Sequence, residues 1–214
     1  MANPDPAHLR ANYDRIAGEY TAHIYNELDG KPFDRELLRR FADSLPPGGE
    51  VCDLGCGPGH VARFLREAGA NIFGMDLSPA MVAEARRLNP EIRFETGDIF
   101  ALPLADRLLA SIVAFYSMVN FPPASLSAAF REMRRVLMAD GRLLIAFHLG
   151  DETISPGELW GQAVSLNFYL FPTAIVREAL EASGFDIEEV LEREPYAPEV
   201  EHQSRRAYIL ARAV

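Results

Sequence analysis

Cysteine is scarce. The 214 residues contain two, Cys52 and Cys56, too few and too close together for a disulfide framework or a structural zinc site. They read as a buried strand thiol and a small loop residue, and neither reads as a nucleophile. Basic charge is also short: 21 Lys and Arg stand against 31 Asp and Glu, a net charge of −10. A non-specific nucleic-acid binder needs a cationic surface to displace counterions from phosphates, and an acidic surface repels anionic membranes. Two segments lack charge, Leu108–Phe130 and Leu159–Val176. Neither reads as a membrane span, because Asn120 and Pro122-Pro123 interrupt the first and Gln162, Asn167 and Pro172 the second. Met1–Arg10 has no apolar h-region, so the expectation is a cytoplasmic protein without a signal peptide. His8, His23 and His60 have no ligand spacing, and no metal is expected. Repeats and low-complexity segments are missing as well, and the 15 Gly and 15 Pro follow no period.

What remains is ordinary globular material, 49% apolar and 24% charged, in a length that suits one domain. Pro46-Pro47-Gly48-Gly49 breaks the chain. Before it, spacings of three and four predict helices over His8–Tyr25 and Phe33–Ser44, so residues 1–45 read as a helical segment. Residues 46–214 read as the main body. There strands alternate with helices. Strands are expected at Glu50–Leu54, Asn71–Asp76, Ile92–Thr96, Leu108–Tyr116 and Arg142–His148. Helices are expected at Gly59–Ala68, Pro79–Leu88, Ala124–Leu137 and Thr173–Ala182. Ser78 suits an N-cap and Pro79 a first helical residue. Such alternation predicts an α/β fold with a mostly parallel sheet covered on both faces. Phe185–Glu192 and Ser204–Arg212 read as an antiparallel edge pair. From Glu178 to Glu201 nine acidic residues face one base, Arg193, which reads as a solvated face. Gly150–Pro172 is an insertion, and a long connection of this kind is often a lid or a functional loop.

The strongest local signal is Val51-Cys52-Asp53-Leu54-Gly55-Cys56-Gly57-Pro58-Gly59-His60. A strand runs into three glycines at alternate positions and then into a helix, so a ligand can approach the backbone and the helix N-terminus. The dinucleotide fingerprint requires a glycine where His60 stands. Asp53 also puts a carboxylate at the strand end, which repels a pyrophosphate and suits a cationic ligand. Asp76 ends the next strand, where a carboxylate can accept both ribose hydroxyls. Asp98, in Gly97-Asp98-Ile99, follows the third strand and could accept from an adenine amino group, with Leu77 and Ile99 as apolar faces. Taken singly, each is also a plausible turn aspartate.

These residues resemble the class I S-adenosylmethionine-dependent methyltransferases, small-molecule branch. The resemblance rests on Asp53-Leu54-Gly55-Cys56-Gly57-Pro58-Gly59, Gly74-Met75-Asp76-Leu77-Ser78-Pro79-Ala80-Met81, Gly97-Asp98, Glu132-Met133-Arg134-Arg135-Val136-Leu137 and Asp140-Gly141-Arg142-Leu143-Leu144-Ile145. It runs in order from about Tyr13 to the C-terminus. It implies a Rossmann-like, mostly parallel seven-stranded sheet with an antiparallel edge strand and an N-terminal helical cap. The implied cofactor is S-adenosylmethionine, with Gly55, Gly57 and Gly59 at its methionine end, Asp76 on the ribose and Asp98 on the adenine. Tyr13-Asp14-x-x-Ala17-x-x-Tyr20 fits a segment that closes over the cofactor.

For catalysis, His148 at the end of its strand reads either as a general base or as a satisfied wall histidine. The resemblance puts Tyr116 and Asn120 beside the transferring methyl. Asparagine can orient a substrate but cannot act as a base. Asn120-Phe121-Pro122-Pro123 is close to the Asn/Asp-Pro-Pro-aromatic motif of DNA amino-methyltransferases, but Phe121 interrupts the order. Arg205, Arg206 and His202 could meet an anionic substrate or lie on a solvated strand. The expected pocket mouth is Tyr20, Tyr116, Met118, Asn120, His148, Trp160 and Phe168. The expected activity is methyl transfer to O, N or C of a small molecule, by a monomer or homodimer. Cofactor binding without transfer is the alternative.

Overall fold

The computed structural model describes residues 3–214; residues 1 and 2 of the expected N-terminal segment lie outside it. Helix α1 (Pro6–Ile24) begins at Asp5, whose side chain accepts from Ala7 N at 3.0 Å, with Pro6 as its first residue. Helix α2 spans Pro32–Asp43. The alternating body follows: β1 (Glu50–Leu54), α3 (His60–Glu67), β2 (Asn71–Asp76), α4 (Pro79–Leu88), β3 (Phe94–Thr96), β4 (Leu109–Phe115), α5 (Leu126–Val136), β5 (Leu137–Leu149) and α6 (Thr173–Glu181). Strands β6 (Phe185–Arg193) and β7 (Arg205–Ala213) close the chain. Ser78 caps α4, its Oγ accepting from Met81 N at 3.1 Å.

The seven strands form one sheet in the order β6-β7-β5-β4-β1-β2-β3. The strands from β1 to β5 are mutually parallel, and β7 runs antiparallel to both β5 and β6. The strand order reverses beside β1, and in an open α/β sheet the crevice at such a point, at the carboxyl ends of the strands, is where ligands bind. β5 starts earlier than its hydrophobic run: Leu137 already pairs with Leu109, and the register then shifts to Ser111 with Arg142 through a bulge that holds Asp140 at φ 59°.

Period-two alternation feeds two cores, one on each face. Along β4, Ile112 and Ala114 join Phe130, Met133 and Ile16 on one face. Val113 and Phe115 join Leu37, Phe41 and Leu65 on the other. β5 splits the same way, with Leu143 and Ile145 against Leu144 and Ala146. Phe130 is fully buried, so Phe130→Ala would cost about 3–5 kcal/mol. Residues 150–172 form two short two-stranded ribbons, Thr153–Ile154 with Phe168–Tyr169 and Glu158–Leu159 with Gln162–Ala163. Among the described residues no helix is long and apolar enough to cross a membrane.

Candidate active site

Beyond β1, the backbone turns through Gly55 at φ 74° and Gly57 at φ 50°. Gly55 has no room for a side chain, since a Cβ there would lie 2.3 Å from Ser117 Cβ. The loop after β1 therefore packs directly on the loop after β4. Gly57 N donates to Asp76 Oδ2 at 2.9 Å and Ser78 N to Asp76 Oδ1 at 2.8 Å, which ties the ends of β1 and β2 together. Burial raises the Asp76 carboxyl pKa, opposed by these amide bonds.

A first cavity opens here, of about 90 Å3, walled by Gly55, Gly57, Asp76, Leu77, Asp98 and Ile99. Leu9, Tyr13 and Tyr20 of α1 close it from above. Tyr13 and Tyr20 meet edge to face at 6.2 Å between ring centres. The Tyr13 hydroxyl donates to Asn120 Oδ1 at 2.6 Å, and Asp14 Oδ1 accepts from Ser78 Oγ at 2.5 Å and Ala80 N at 3.1 Å. Asp98 Oδ1 accepts from Phe100 N at 2.9 Å, so the residue makes a turn and also lines the cavity.

A second cavity, of about 470 Å3, lies on the other side of Tyr116. Tyr13, Tyr20 and Tyr116 are common to both cavities. Tyr116 sits at φ 54°, a strained conformation for a bulky residue, which costs about 1–3 kcal/mol. The apolar side of the second cavity includes Leu159, Trp160, Phe168 and Leu170 from the insertion. Its polar side holds Lys31, His148, His202, Arg206, Glu27 and Glu201.

Residues 51–141 match the family model described as a methyltransferase domain. The chain is 33% identical to the demethylmenaquinone methyltransferase of Beutenbergia cavernae, over 66% of this chain and 58% of that protein. It thus spans little more than half the length of that curated relative. Among solved structures, it is similar to the magnesium protoporphyrin IX methyltransferase of Synechocystis PCC 6803 with bound S-adenosylhomocysteine. That match has a TM-score of 0.74, 21% identity and coverage of 98% of this chain and 100% of that one. The cyclase SpnF matches with a TM-score of 0.74 and 20% identity, covering 100% of this chain and 98% of that one.

Residues 51–141 are thus a methyltransferase domain, and the chain shares the fold of S-adenosylmethionine-dependent methyltransferases.

The first cavity has the chemistry that an S-adenosyl cofactor needs. Asp76 and Asp98 offer carboxylates, Leu77 and Ile99 apolar faces, and the glycine loop bare backbone. Ser117 Oγ is buried without a partner beside that loop. The space itself is narrow, since ligand pockets run to about 300–1,000 Å3. Leu9, Tyr13 and Tyr20 of α1 form part of its wall.

Two residues expected at the cofactor are not in the cavity wall. Asp53 is 1% exposed, and its Oδ2 accepts from Ala62 N at 3.0 Å, in the first turn of α3. Burial pushes this carboxyl up to about 7, against the pull of His60 and of the Ala62 amide. Gly59 faces away from the cavity: a Cβ there would lie 2.7 Å from Phe94 Cζ. Met118, expected at the pocket mouth, is buried in the core. Tyr20, Tyr116, His148, Trp160 and Phe168 line the second cavity, and Asn120 the first, where it also donates to Asn167 O at 2.9 Å.

Burial lowers the His148 imidazole to about 3, helped by Arg206, His202 and Lys31 nearby, so the ring is neutral at physiological pH. Its Nδ1 bonds Ser204 Oγ at 2.8 Å. The acidic stretch is solvated in part only. Glu201 is buried and ion-paired to Arg193 at 2.5 Å, which itself bonds Asp34 at 2.9 Å. Sequence reasoning missed Ser117, Lys31, Glu27 and Glu201. Ser117 had a detectable signal, its place one residue after Tyr116, which the sequence already singled out. The other three come from distant segments that no local spacing connects.

Proposed function

We propose that this protein transfers a methyl group from S-adenosylmethionine to a small organic molecule held in the second cavity. The observation that carries the reading is the shared wall: Tyr116 borders both the glycine-lined cavity and the larger apolar one. Bound in the first cavity, the cofactor supplies a methyl carbon already activated by a sulfonium. Gly55, Gly57 and Ser117 would face its methionine end, Asp76 the ribose hydroxyls, and Asp98, Leu77 and Ile99 the adenine. Gly59 and Asp53 would support the loop from behind. Residues 3–45 would act as a cap whose tyrosines close over the cofactor and exclude water. Residues 150–172 would supply the acceptor's apolar wall.

Methyl transfer is an in-line displacement, so the protein's main tasks are alignment and desolvation. Tyr116, on the shared wall, would orient the acceptor, and Asn120, beside the cofactor, would hold the Tyr13 hydroxyl of the cap. His148, neutral and tied to Ser204, suits a hydrogen-bonding role better than proton storage, because a conjugate acid near 3 is a weak base at neutral pH. A net charge of −10 favours a small acceptor over a phosphate polymer.

Calorimetry should give micromolar or tighter binding of S-adenosylhomocysteine and much weaker binding of NAD. With S-adenosylmethionine and a panel of small acids, phenols and amines, mass spectrometry should find a product heavier by one methylene. NAD as the tighter ligand would overturn the reading. Tight S-adenosylhomocysteine binding without any methylated product would favour cofactor binding without transfer, a possibility suggested by the similarity to a cyclase.

A further inference from the structure

Arg206 is 2% exposed and lines the second cavity. Its hydrogen bonds go to neutral oxygens: Nη1 donates to Ser204 O and Oγ, and Nη2 to His202 O at 2.8 Å. Nε is buried without a partner. Glu201 Oε2 lies 3.5 Å from Nη2, but that carboxylate is already held by Arg193 at 2.5 and 3.1 Å and by Tyr196 N at 2.7 Å. The other carboxylate facing the cavity, Glu27, takes Lys31 at 2.6 Å and His60 at 3.1 Å. Despite burial, both acids are held down to about 2 by these partners. The acids are therefore saturated with donors, while the buried Arg206 guanidinium shares its one carboxylate, at 3.5 Å, with Arg193 and Lys31 and keeps Nε without a partner. Burying a cation in that state is costly unless an anion completes it.

We infer that the methyl acceptor is a small carboxylic acid, bound as its carboxylate by Arg206 beside Tyr116, and that a carboxylate oxygen takes the methyl. The inference rests on the function proposed above and deepens it. Arg206 and His148 face each other across the β5–β7 ladder. The guanidinium lies over the Tyr116 ring at 5.6 Å and the His148 ring lies 5.1 Å from it, so both groups converge on the wall between the two cavities. Lys31 Nζ sits 5.7 Å from the same ring. His23 and His202 complete the polar side. With Nδ1 on Ser204, His148 has Nε2 left for the acid. Leu159, Trp160, Phe168 and Leu170 receive an apolar body.

The chemistry also accounts for the weak base. A carboxylic acid ionises at about pH 4–5, so at neutral pH the nucleophile is already charged. A carbon–oxygen bond forms as the carbon–sulfur bond breaks, the electron pair returns to sulfur, and no proton has to move.

Calorimetry on the full chain, saturated with S-adenosylhomocysteine, tests this with 3-phenylpropanoate and octanoate against their amides. The acids should bind at least tenfold more tightly than the amides. Arg206→Gln should abolish that preference with S-adenosylhomocysteine affinity unchanged, and Arg206→Lys should restore part of it. Turnover should give an alkali-labile methyl ester. Equal binding of acid and amide by the wild type, or an undiminished preference in Arg206→Gln, overturns the carboxylate site and leaves the cofactor reading standing. Loss of S-adenosylhomocysteine binding by the wild type overturns the cofactor reading itself. If Arg206→Gln does not fold, the acid–amide comparison in the wild type decides.

Discussion

The Tyr13 hydroxyl and Asn120 Oδ1 lie 2.6 Å apart and join α1 to the loop after β4, across the mouth of the first cavity. That cavity of about 90 Å3 is small beside the roughly 300–1,000 Å3 of ordinary ligand pockets, so we expect that bond and the α1 side chains to shift when the cofactor binds. We expect S-adenosylhomocysteine to change hydrogen exchange within Pro6–Ile24 and to leave β4 unaltered. Tyr13→Phe removes a bond worth about 0.5–1.5 kcal/mol, so the free protein should show faster exchange in α1. Exchange in this helix that ignores both ligand and substitution would rule out a mobile cap.

Asp76 holds two loop amides with its two oxygens. Asp76→Ala should weaken S-adenosylhomocysteine binding by roughly 1.5–3 kcal/mol, the range for hydrogen bonds to a charged group. Asp98→Ala should cost less, because that side chain holds one amide of its own turn. Wild-type affinity in both variants, read by calorimetry, would make these carboxylates structural.

Asp53 sets a pH dependence of stability. Its folded pKa of about 7 stands above the ordinary 3.8. The protonated side chain therefore favours folding fully below about pH 4, and that contribution fades as pH rises through about 7. Asp53→Asn keeps an oxygen for Ala62 N and cannot ionise. Its melting temperature should gain on the wild type steadily between pH 4 and pH 8. A difference independent of pH would show that Asp53 is ionised throughout this range.

Glu201 acts with the opposite sign. Held at about 2 against an ordinary 4.5, it contributes stability above about pH 4.5 and loses it as pH falls towards 2. Glu201→Gln breaks the buried pair with Arg193, which keeps only Asp34 as its anion, and should cost about 3–5 kcal/mol at pH 7, the penalty for breaking a buried pair. Denaturant melts should show that deficit shrinking in acid.

Elements with a strong period were legible before the structure. The β1 loop, Ser78 as a cap and the alternating strands follow from local chemistry, and the resemblance supplied the sheet. Asp53 shows where local reading stops. A strand-end carboxylate two residues before a glycine looks the same whether it meets a ligand or the first turn of α3. Glu201 was folded into a run of exposed acids because interleaved charge does not reveal which member turns inward. The Lys31–Glu27–Glu201–Arg206 group unites a helix start, a short turn and the approach to β7, an arrangement that only the tertiary fold creates. In the insertion, ribbons two residues long carry no period at all, so nothing local distinguishes Trp160 and Phe168, which line the second cavity, from Phe171, which is core.

Helix α1 touches more than the first cavity. His8 Nε2 lies 2.6 Å from Ser165 O, Asn12 Oδ1 accepts from Ser165 N at 2.8 Å, and Arg15 donates to Ala163 O at 2.8 Å. Tyr20 meets Trp160 edge to face at 5.7 Å, and His23 stacks on it at 4.8 Å. One helix is thus fastened to the walls of both binding spaces. Whatever free energy is spent in loosening α1 for one ligand need not be spent again for the other. Thermodynamic reciprocity makes that saving equal in both directions. The two substrates should therefore bind with positive cooperativity, and steady-state kinetics should show each one's apparent affinity rising with the concentration of the other.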